Sequence, residues 1–155
     1  MDAYRRTMSS ERVTRSRTKI RILLVDDHIK LRAGIRRLVE ANRDMLVVGE
    51  AGNGIDALEQ VAKLEPDVVL LDVEMPRMNG MQVVREISAH HEGVKVLALS
   101  AYDDRQYILG MLDQGAAGYV IKDEAPAMLV RAIREIFLSN RRWMSQRVRN
   151  LVENG

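Results

Sequence analysis

The stretch VVLLDVEMPRMNG, residues 68–80, joins an unbroken apolar run to a carboxylate. Four aliphatic residues in a row are typical of a strand that is buried on both faces, as in a parallel sheet. Asp72 ends this run, although Pro76 and the pair Asn79-Gly80 already supply the residues that turns and helix starts prefer. The charge at residue 72 therefore needs an explanation other than local chain geometry.

The same kind of apolar run recurs along the chain and predicts five strands. The runs are Ile20–Val25, Met45–Val48, Val68–Leu71, Lys95–Leu99 and Gly118–Ile121. The segments that follow them carry apolar residues at three- and four-residue spacing, which predicts five amphipathic helices. Strict alternation of strands and helices favours a parallel sheet with helices on both faces and right-handed crossovers.

Composition limits the classes of protein to which the chain can belong. Its 155 residues suffice for one domain with terminal extensions, and the absence of cysteine excludes disulfides and thiolate metal sites. No apolar run approaches the roughly 20 residues of a membrane span, and the N-terminus lacks the apolar region of a secretory signal. We therefore expect a cytoplasmic protein without membrane contact.

The net charge of +2 conceals a segregation of charge along the chain. Residues 1–21 carry +5, residues 22–130 carry −7 and residues 131–155 carry +4. A nucleic-acid site would thus have to lie at the ends, where a solvated tail or helix face is the simpler interpretation. Residues 1–19 lack periodicity and are predicted to be a disordered basic arm or a leader.

Polar residues follow four of the predicted strands. They are Asp26-Asp27 after the first, Asp72 after the third, Ser100 after the fourth and Lys122 after the fifth. Carboxyl ends of parallel strands meet at one edge of the sheet, where ligands bind in such folds. Taken singly, the first aspartates and Ser100 are also typical of helix starts, and Lys122 is typical of a solvated lysine. The conjunction favours a shared site.

The chemistry of this set points to phosphoryl groups. Three neighbouring carboxylates repel one another unless a cation offsets their charge, and an oxygen-only ligand set suits Mg²⁺. A carboxylate can act as a nucleophile toward phosphorus, and the transfer requires positive charge around the phosphoryl oxygens. Mg²⁺, the ammonium of Lys122 and the hydroxyl of Ser100 would each serve one of these oxygens.

Four motifs together resemble the receiver domain of two-component response regulators. They are ILLVDDH (22–28), VVLLDVEMPRMNG (68–80), VLALSA (96–101) and GAAGYVIKD (115–123), and the similarity covers residues 20–138. The resemblance implies a flavodoxin-like, doubly wound (βα)5 fold whose five-stranded parallel sheet has the order 2-1-3-4-5. It also implies a sensor histidine kinase as phosphodonor, homodimer formation on phosphorylation, and no enzyme activity beyond self-catalysed phosphorylation and dephosphorylation.

The resemblance assigns roles to individual residues. Asp72 would be the phosphoacceptor, Lys122 the phosphoryl-binding lysine, Ser100 the switch hydroxyl and Tyr119 the switch aromatic. The Mg²⁺ ligands would be Asp27, Asp72 and the backbone carbonyl of Glu74, with Asp26 acting through water. Glu74 and Tyr102 would lie beside the phosphoryl group and set its rate of hydrolysis.

The segment GAAGYVIKDEAPAMLVRAIREI, residues 115–136, is similar to receivers that precede a LuxR-type helix-turn-helix. Many receivers have proline after the lysine, whereas this chain has Asp123. Residues 139–155 are predicted to be a linker or the start of a linker helix, with the DNA-binding domain itself absent. Control of transcription, and contact with DNA, would then depend on that absent domain.

Two other functions compete with this interpretation. A phosphatase of the haloacid-dehalogenase type also has a nucleophilic aspartate after a buried strand and a second carboxylate two residues later, a spacing that Asp72-Val73-Glu74 imitates. It leaves Asp26-Asp27 unexplained, however. A stand-alone or degenerate receiver that only docks to other proteins is the third alternative, and the complete acidic set with Ser100 and Lys122 argues against a degenerate one.

Overall fold

The computed structural model describes residues 19–75 and 79–154, which form six strands and six α-helices. The strands are β1 (Ile20–Val25), β2 (Met45–Ala51), β3 (Val68–Asp72), β4 (Lys95–Ser100), β5 (Gly118–Ile121) and β6 (Trp143–Met144). The helices are α1 (Ile29–Glu40), α2 (Gly54–Leu64), α3 (Gly80–His90), α4 (Arg105–Asp113), α5 (Ala125–Leu138) and α6 (Gln146–Asn154). A short 3₁₀ helix, Lys122–Glu124, links β5 to α5.

All strands pair in parallel, in the order β2-β1-β3-β4-β5-β6. The predicted flavodoxin-like order 2-1-3-4-5 is confirmed for the first five strands, and β6 extends the sheet beyond β5. Because the strands are parallel, their carboxyl ends share one edge, and β1, β3, β4 and β5 present their last residues there.

The sheet separates two apolar cores, which explains why its strands are continuous apolar runs. Alternate residues of each strand enter different cores: Leu23 and Leu71 face the core packed by α2, α3 and α4, whereas Leu24 and Leu70 face the core packed by α1 and α5. Both faces must exclude water, so a hydrophobic–polar alternation cannot occur in the central strands.

The start of α3 has the chemistry that the sequence predicts. The side chain of Asn79 accepts a hydrogen bond from the backbone N–H of Gln82, whose side chain in turn accepts one from the backbone N–H of Asn79. This capping box satisfies two N–H groups at the start of α3. Asn79 thus starts the helix as predicted, and Asp72 is free of that task; Pro76 lies outside the described residues.

The (βα)5 prediction was incomplete, because residues 143–154 add a sixth strand and a sixth helix. Gly118 of β5 pairs with Trp143 of β6, and a Cβ at Gly118 would lie only 2.9 Å from the Trp143 carbonyl oxygen. Glycine therefore permits the close approach of β6. A strand of two residues has no periodicity of its own, so the sequence pattern could not predict it.

Lys95 directs the chain from α5 toward β6. Its ammonium donates hydrogen bonds to the carbonyl oxygens of Ile136 and Ser139 and to the side chain of Asn140, the last at 3.1 Å. These carbonyls lie at the end of α5, where no further helical turn supplies donors. Burial lowers the pKa of Lys95.

The remaining domain predictions fall partly outside the structure. Apart from Lys19, the predicted arm at residues 1–19 lies outside the described residues. Among residues 19–75 and 79–154, no helix combines the length and apolar character that crossing a bilayer requires.

Candidate functional site

Asp26, Asp27 and Asp72 meet at the carboxyl edge of the sheet, as the sequence predicts. Asp26 directly follows β1 and Asp72 is the last residue of β3, and these strands are neighbours. One ligand atom each from these three aspartates and from His28 lies within 4.8 Å of the others. Asp26 and Asp72 are only 3% and 1% exposed, so their carboxylates are crowded together away from bulk water.

Three oxygen atoms of this cluster are buried without a hydrogen-bond donor. Oδ2 of Asp26, Oδ1 of Asp27 and Oδ2 of Asp72 accept no hydrogen bond from any residue that the structure describes. Burying a carboxylate oxygen without a partner is costly, and folded proteins rarely tolerate it at a site that has only a structural role. A cation or a solvent ligand among these three oxygens would offset that cost.

His28 belongs to the cluster, although the sequence pattern gave no reason to include it. Its backbone N–H donates to Asp26 Oδ1 at 2.8 Å, and its Nδ1 lies 3.3 Å from the same oxygen and 3.1 Å from Asp27 Oδ1. His28 is also the residue that precedes α1, and its own side chain makes no cap hydrogen bond. Neither aspartate occupies the N-cap position of α1, although Asp26 accepts the N–H of His28 just before the helix.

Lys122 reaches the cluster from the end of β5. Its Nζ lies 3.3 Å from Asp72 Oδ1 and 3.1 Å from Glu74 Oε2, and its side chain is 25% exposed. Burial opposes the charged form, but the two carboxylates outweigh it and raise the pKa of Lys122. The lysine is therefore a charged partner of the site, in contrast to the solvated lysine of the simpler alternative.

The pKa of the Asp72 carboxyl lies above its usual range. Burial is the main cause and the nearby Asp26 carboxylate adds to it, whereas the backbone N–H of Glu74, 3.0 Å from Oδ1, and the Lys122 ammonium act in the opposite direction. The negative charge of ionised Asp72 is thus only partly balanced by its neighbours. Its free oxygen can therefore bind a cation or attack an electrophile.

Glu74 takes part through its side chain as well as its backbone. Its carboxylate accepts a hydrogen bond at 3.1 Å from the backbone N–H of Ala101, in the loop after β4, and also contacts Lys122. Burial opposes ionisation, but these two donors lower the pKa of Glu74. The resemblance predicted a metal-binding role for the backbone carbonyl of Glu74 and a place for Glu74 beside the phosphoryl group. The bridge made by the carboxylate depends on how two loops approach each other.

Ser100 and Tyr119 are both buried and both bind the loop after β4. The Ser100 hydroxyl accepts a hydrogen bond from the backbone N–H of Tyr102 at 3.0 Å, and the Tyr119 hydroxyl donates to the Tyr102 carbonyl oxygen at 2.8 Å. Burial raises the pKa of the Tyr119 phenol. Asp104, and not Ser100, caps α4, so Ser100 is not required to start that helix.

Arg32 anchors the acidic edge from α1. Its Nη1 donates to the backbone carbonyl of Asp26 at 2.6 Å, and its Nε donates to Glu50 Oε1 at 2.7 Å. Since Glu50 lies on β2, the guanidinium holds the ends of β1 and β2 together. This contact has no signal in the sequence, because the two partners of Arg32 are far apart along the chain.

Comparisons with known proteins identify the family of this chain. Residues 22–134 match the family described as response regulator receiver domain. The transcriptional regulatory protein DegU of Brevibacillus brevis is 36% identical over 118 residues, which are 76% of this chain and 50% of DegU. The response regulator UvrY of Escherichia coli K12 is 39% identical over 122 residues, which are 79% of this chain and 56% of UvrY.

A solved structure shares both the fold and much of the sequence. The crystal structure of a two-component response regulator of the LuxR family from Aurantimonas sp. SI85-9A1 has a TM-score of 0.82 and 34% identity, and the match covers 86% of this chain and 95% of that one. In contrast, the chain spans only about half the length of the curated relatives it matches.

Proposed function

Because this chain belongs to the family of response regulator receiver domains, we propose that it accepts a phosphoryl group on Asp72 from the phosphohistidine of a sensor histidine kinase. The observation that carries this proposal is the buried Asp72 carboxylate, which combines an unsatisfied oxygen with a lysine at 3.3 Å. The reaction is expected in the cytoplasm, and each chain is phosphorylated once, as a phosphoacceptor and not as a turnover enzyme.

The donor set fits a divalent cation. Three buried carboxylate oxygens without hydrogen-bond partners lie on three neighbouring aspartates, and hard oxygen ligands are those that Mg²⁺ prefers. Asp26, Asp27, Asp72 and the backbone carbonyl of Glu74 would hold Mg²⁺. When bound, this cation supplies positive charge that offsets the carboxylates and a phosphoryl oxygen.

In the transfer itself, the Asp72 carboxylate is the nucleophile. An oxygen of Asp72 forms a bond to phosphorus while the bond from phosphorus to the donor imidazole nitrogen breaks. The imidazole leaves with the electron pair and takes up a proton from water. Lys122 stabilises the charge on the phosphoryl oxygens, and the Ser100 hydroxyl donates a hydrogen bond to them after it turns from its present partner, Tyr102.

Glu74 competes with the phosphoryl group for donors. Its carboxylate is an internal anion held by Lys122 and by the backbone N–H of Ala101, and Lys122 also lies 3.3 Å from Asp72 Oδ1. Phosphorylation of Asp72 brings a second anion to the same donors. The Glu74 side chain must therefore turn away, and the loop after β4 must exchange Glu74 for a phosphoryl oxygen.

This exchange would transmit phosphorylation of Asp72 to a distant surface of the domain. The loop after β4 is tied to Tyr119 through the Tyr102 carbonyl, so a shift of Ser100 and Ala101 alters the surroundings of that aromatic side chain. The surface formed by α4, β5 and α5 would change with it, and homodimer formation is expected on phosphorylation. By analogy with relatives named as transcriptional regulators, we propose that a longer protein containing this domain controls transcription through a DNA-binding domain.

A direct test is to incubate the protein with Mg²⁺ and acetyl phosphate and to measure its intact mass. We expect one added phosphoryl group, stable in acid and labile in base, that is lost in Asp72→Asn and retained in Asp113→Asn, a change on the exposed end of α4. An unmodified wild-type protein would contradict the proposal and favour a docking module. Repeated turnover of phosphomonoesters would favour a phosphatase.

A further inference from the structure

The sixth strand and helix, residues 143–154, are packed onto the domain as an integral unit. Met144 of β6 pairs with Tyr119 of β5, so the unit adjoins the predicted switch residue directly. Val148 of α6 is fully buried, and Leu151 and Val152 pack against the same core as α4. The C-terminal unit therefore covers the side of the domain formed by α4 and β5.

Polar contacts connect this unit to two segments at the carboxyl edge. They are the loop after β4 and the short 3₁₀ segment Lys122–Glu124, which is called the loop after β5 below. Arg147 of α6 lies 2.7 Å from Asp123 and 3.7 Å from Asp103 through different guanidinium nitrogens. The Ser145 hydroxyl donates a hydrogen bond to Glu124 at 3.0 Å. It also accepts one from the backbone N–H of Val148 and so caps the start of α6. Arg147 thus joins the loop after β4 to the loop after β5.

These are the two loops that carry the groups proposed to meet the phosphoryl group. Asp123 directly follows Lys122, and Asp103 comes three residues after Ser100. In the unphosphorylated arrangement both loops are also joined at the site itself, because Glu74 binds Lys122 and the Ala101 N–H. Arg147 holds the same two loops at their outer side, so the present spacing is secured from both sides.

We propose that Arg147 is a positioning residue that couples the docking of α6 to the phosphorylation state of Asp72. This inference rests on the proposed phosphorylation of Asp72. Exchanging Glu74 for a phosphoryl group requires the loop after β4 to move, and the ion pairs of Arg147 resist that movement while α6 is docked. Because coupling between two events is reciprocal, phosphorylation must in turn weaken the docking of α6.

The coupling is expected to be modest, because all three charged side chains are substantially exposed to solvent. Replacing Arg147 by Gln should raise the rate of phosphorylation by acetyl phosphate roughly two- to threefold, the size that exposed ion pairs allow. Amide hydrogen exchange in residues 146–154 should become faster by a similar factor in this variant, and faster also in the phosphorylated wild type.

Arg149→Gln is the matched control. It removes the same charge from the same helix, and Arg149 makes no ion pair with any residue in 19–75 or 79–154. Arg147→Lys should restore most of the wild-type rate, and Asp123→Asn should reproduce part of the Arg147→Gln effect without adding to it in the double variant. These results would distinguish the ion pairs from a general loss of helix stability.

The outcomes separate this inference from the proposed function. A phosphoryl adduct on Asp72 combined with equal rates and equal exchange in Arg147→Gln and Arg149→Gln would overturn the coupling and leave the phosphoacceptor function intact. Slower exchange of α6 after phosphorylation would also overturn it. Absence of any adduct on Asp72 would overturn both.

Discussion

Two clusters of charge lie side by side at the ends of β1 and β2, and they differ in how their charges are balanced. In the acidic cluster, Asp26, Asp27 and Asp72 bury three oxygens that no described residue satisfies. On β2, Glu50 is paired through one oxygen with Arg32 and through the other with Arg36.

The difference distinguishes a site from a structural tie. Burial opposes ionisation of the Glu50 carboxyl, but the guanidinium groups of Arg36 and Arg32 outweigh it and lower its pKa. The Asp72 carboxylate keeps one oxygen without a donor among the described residues, and burial together with the Asp26 carboxylate raises its pKa. Folding alone can explain the Glu50 cluster, whereas the acidic cluster has a cost that a bound cation or solvent would offset.

The largest effect on this contrast should come from Mg²⁺. At a concentration ten times its dissociation constant, Mg²⁺ should raise the free energy of unfolding by about 1.4 kcal/mol, because it binds only the folded acidic cluster. Chemical denaturation with and without Mg²⁺ measures this difference.

Asp26→Asn serves as the paired variant for that experiment. An amide oxygen keeps the hydrogen bond from His28 but removes one of the mutually repelling charges, so metal-free stability should rise and the gain from Mg²⁺ should shrink. Asp113→Asn should leave both unchanged. An equal gain from Mg²⁺ in Asp26→Asn would show that the ion binds elsewhere.

In the Glu50 cluster, removal of a carboxylate charge should lower stability, whereas in the acidic cluster it should raise it. Glu50→Gln removes the charge that Arg32 and Arg36 share and should lower the free energy of unfolding by about 1 kcal/mol. The gain from Mg²⁺ should be retained, because the three aspartates are untouched. If Glu50→Gln abolished the response to Mg²⁺ as well, the two clusters could not be regarded as independent.

The smallest effect is expected for Glu74, which shares features with both clusters. Its charge is satisfied, but by donors that a phosphoryl group requires. Glu74→Gln weakens this competing anion and should accelerate phosphorylation of Asp72 by acetyl phosphate about threefold. Glu92→Gln, on an exposed turn, provides the control. A slower reaction in Glu74→Gln would show that the carboxylate assists the transfer instead.

Much of the site could be predicted because its residues follow directly from strand ends. Asp72 and Lys122 each come next to an apolar run, and parallel pairing brings such positions to one edge whatever the detailed packing. His28 and the side chain of Glu74 could not be placed in this way. Their contacts depend on the course of loops, for which apolar periodicity carries no information.

The C-terminal unit, residues 143–154, is the part of the fold that the sequence pattern could not predict. The pattern of residues 20–138 predicts five strands and five helices, because each buries enough aliphatic side chains to leave a periodic signal. Trp143–Met144 is too short for such a signal, and it becomes a strand only because Gly118 admits a neighbouring backbone at close range.

The sequence by itself determined the parallel sheet, the edge at which its polar residues gather and the acidic character of that edge, since each follows from the order of apolar and charged residues. Only the tertiary structure decided which donors compensate which carboxylates. One oxygen of Asp72 has no donor among the described residues, both oxygens of Glu50 are paired with arginines, and Arg147 reaches two loops. Hydrogen bonds and ion pairs act over a few ångströms, and residues distant in sequence come within that range only when the packed elements bring them together.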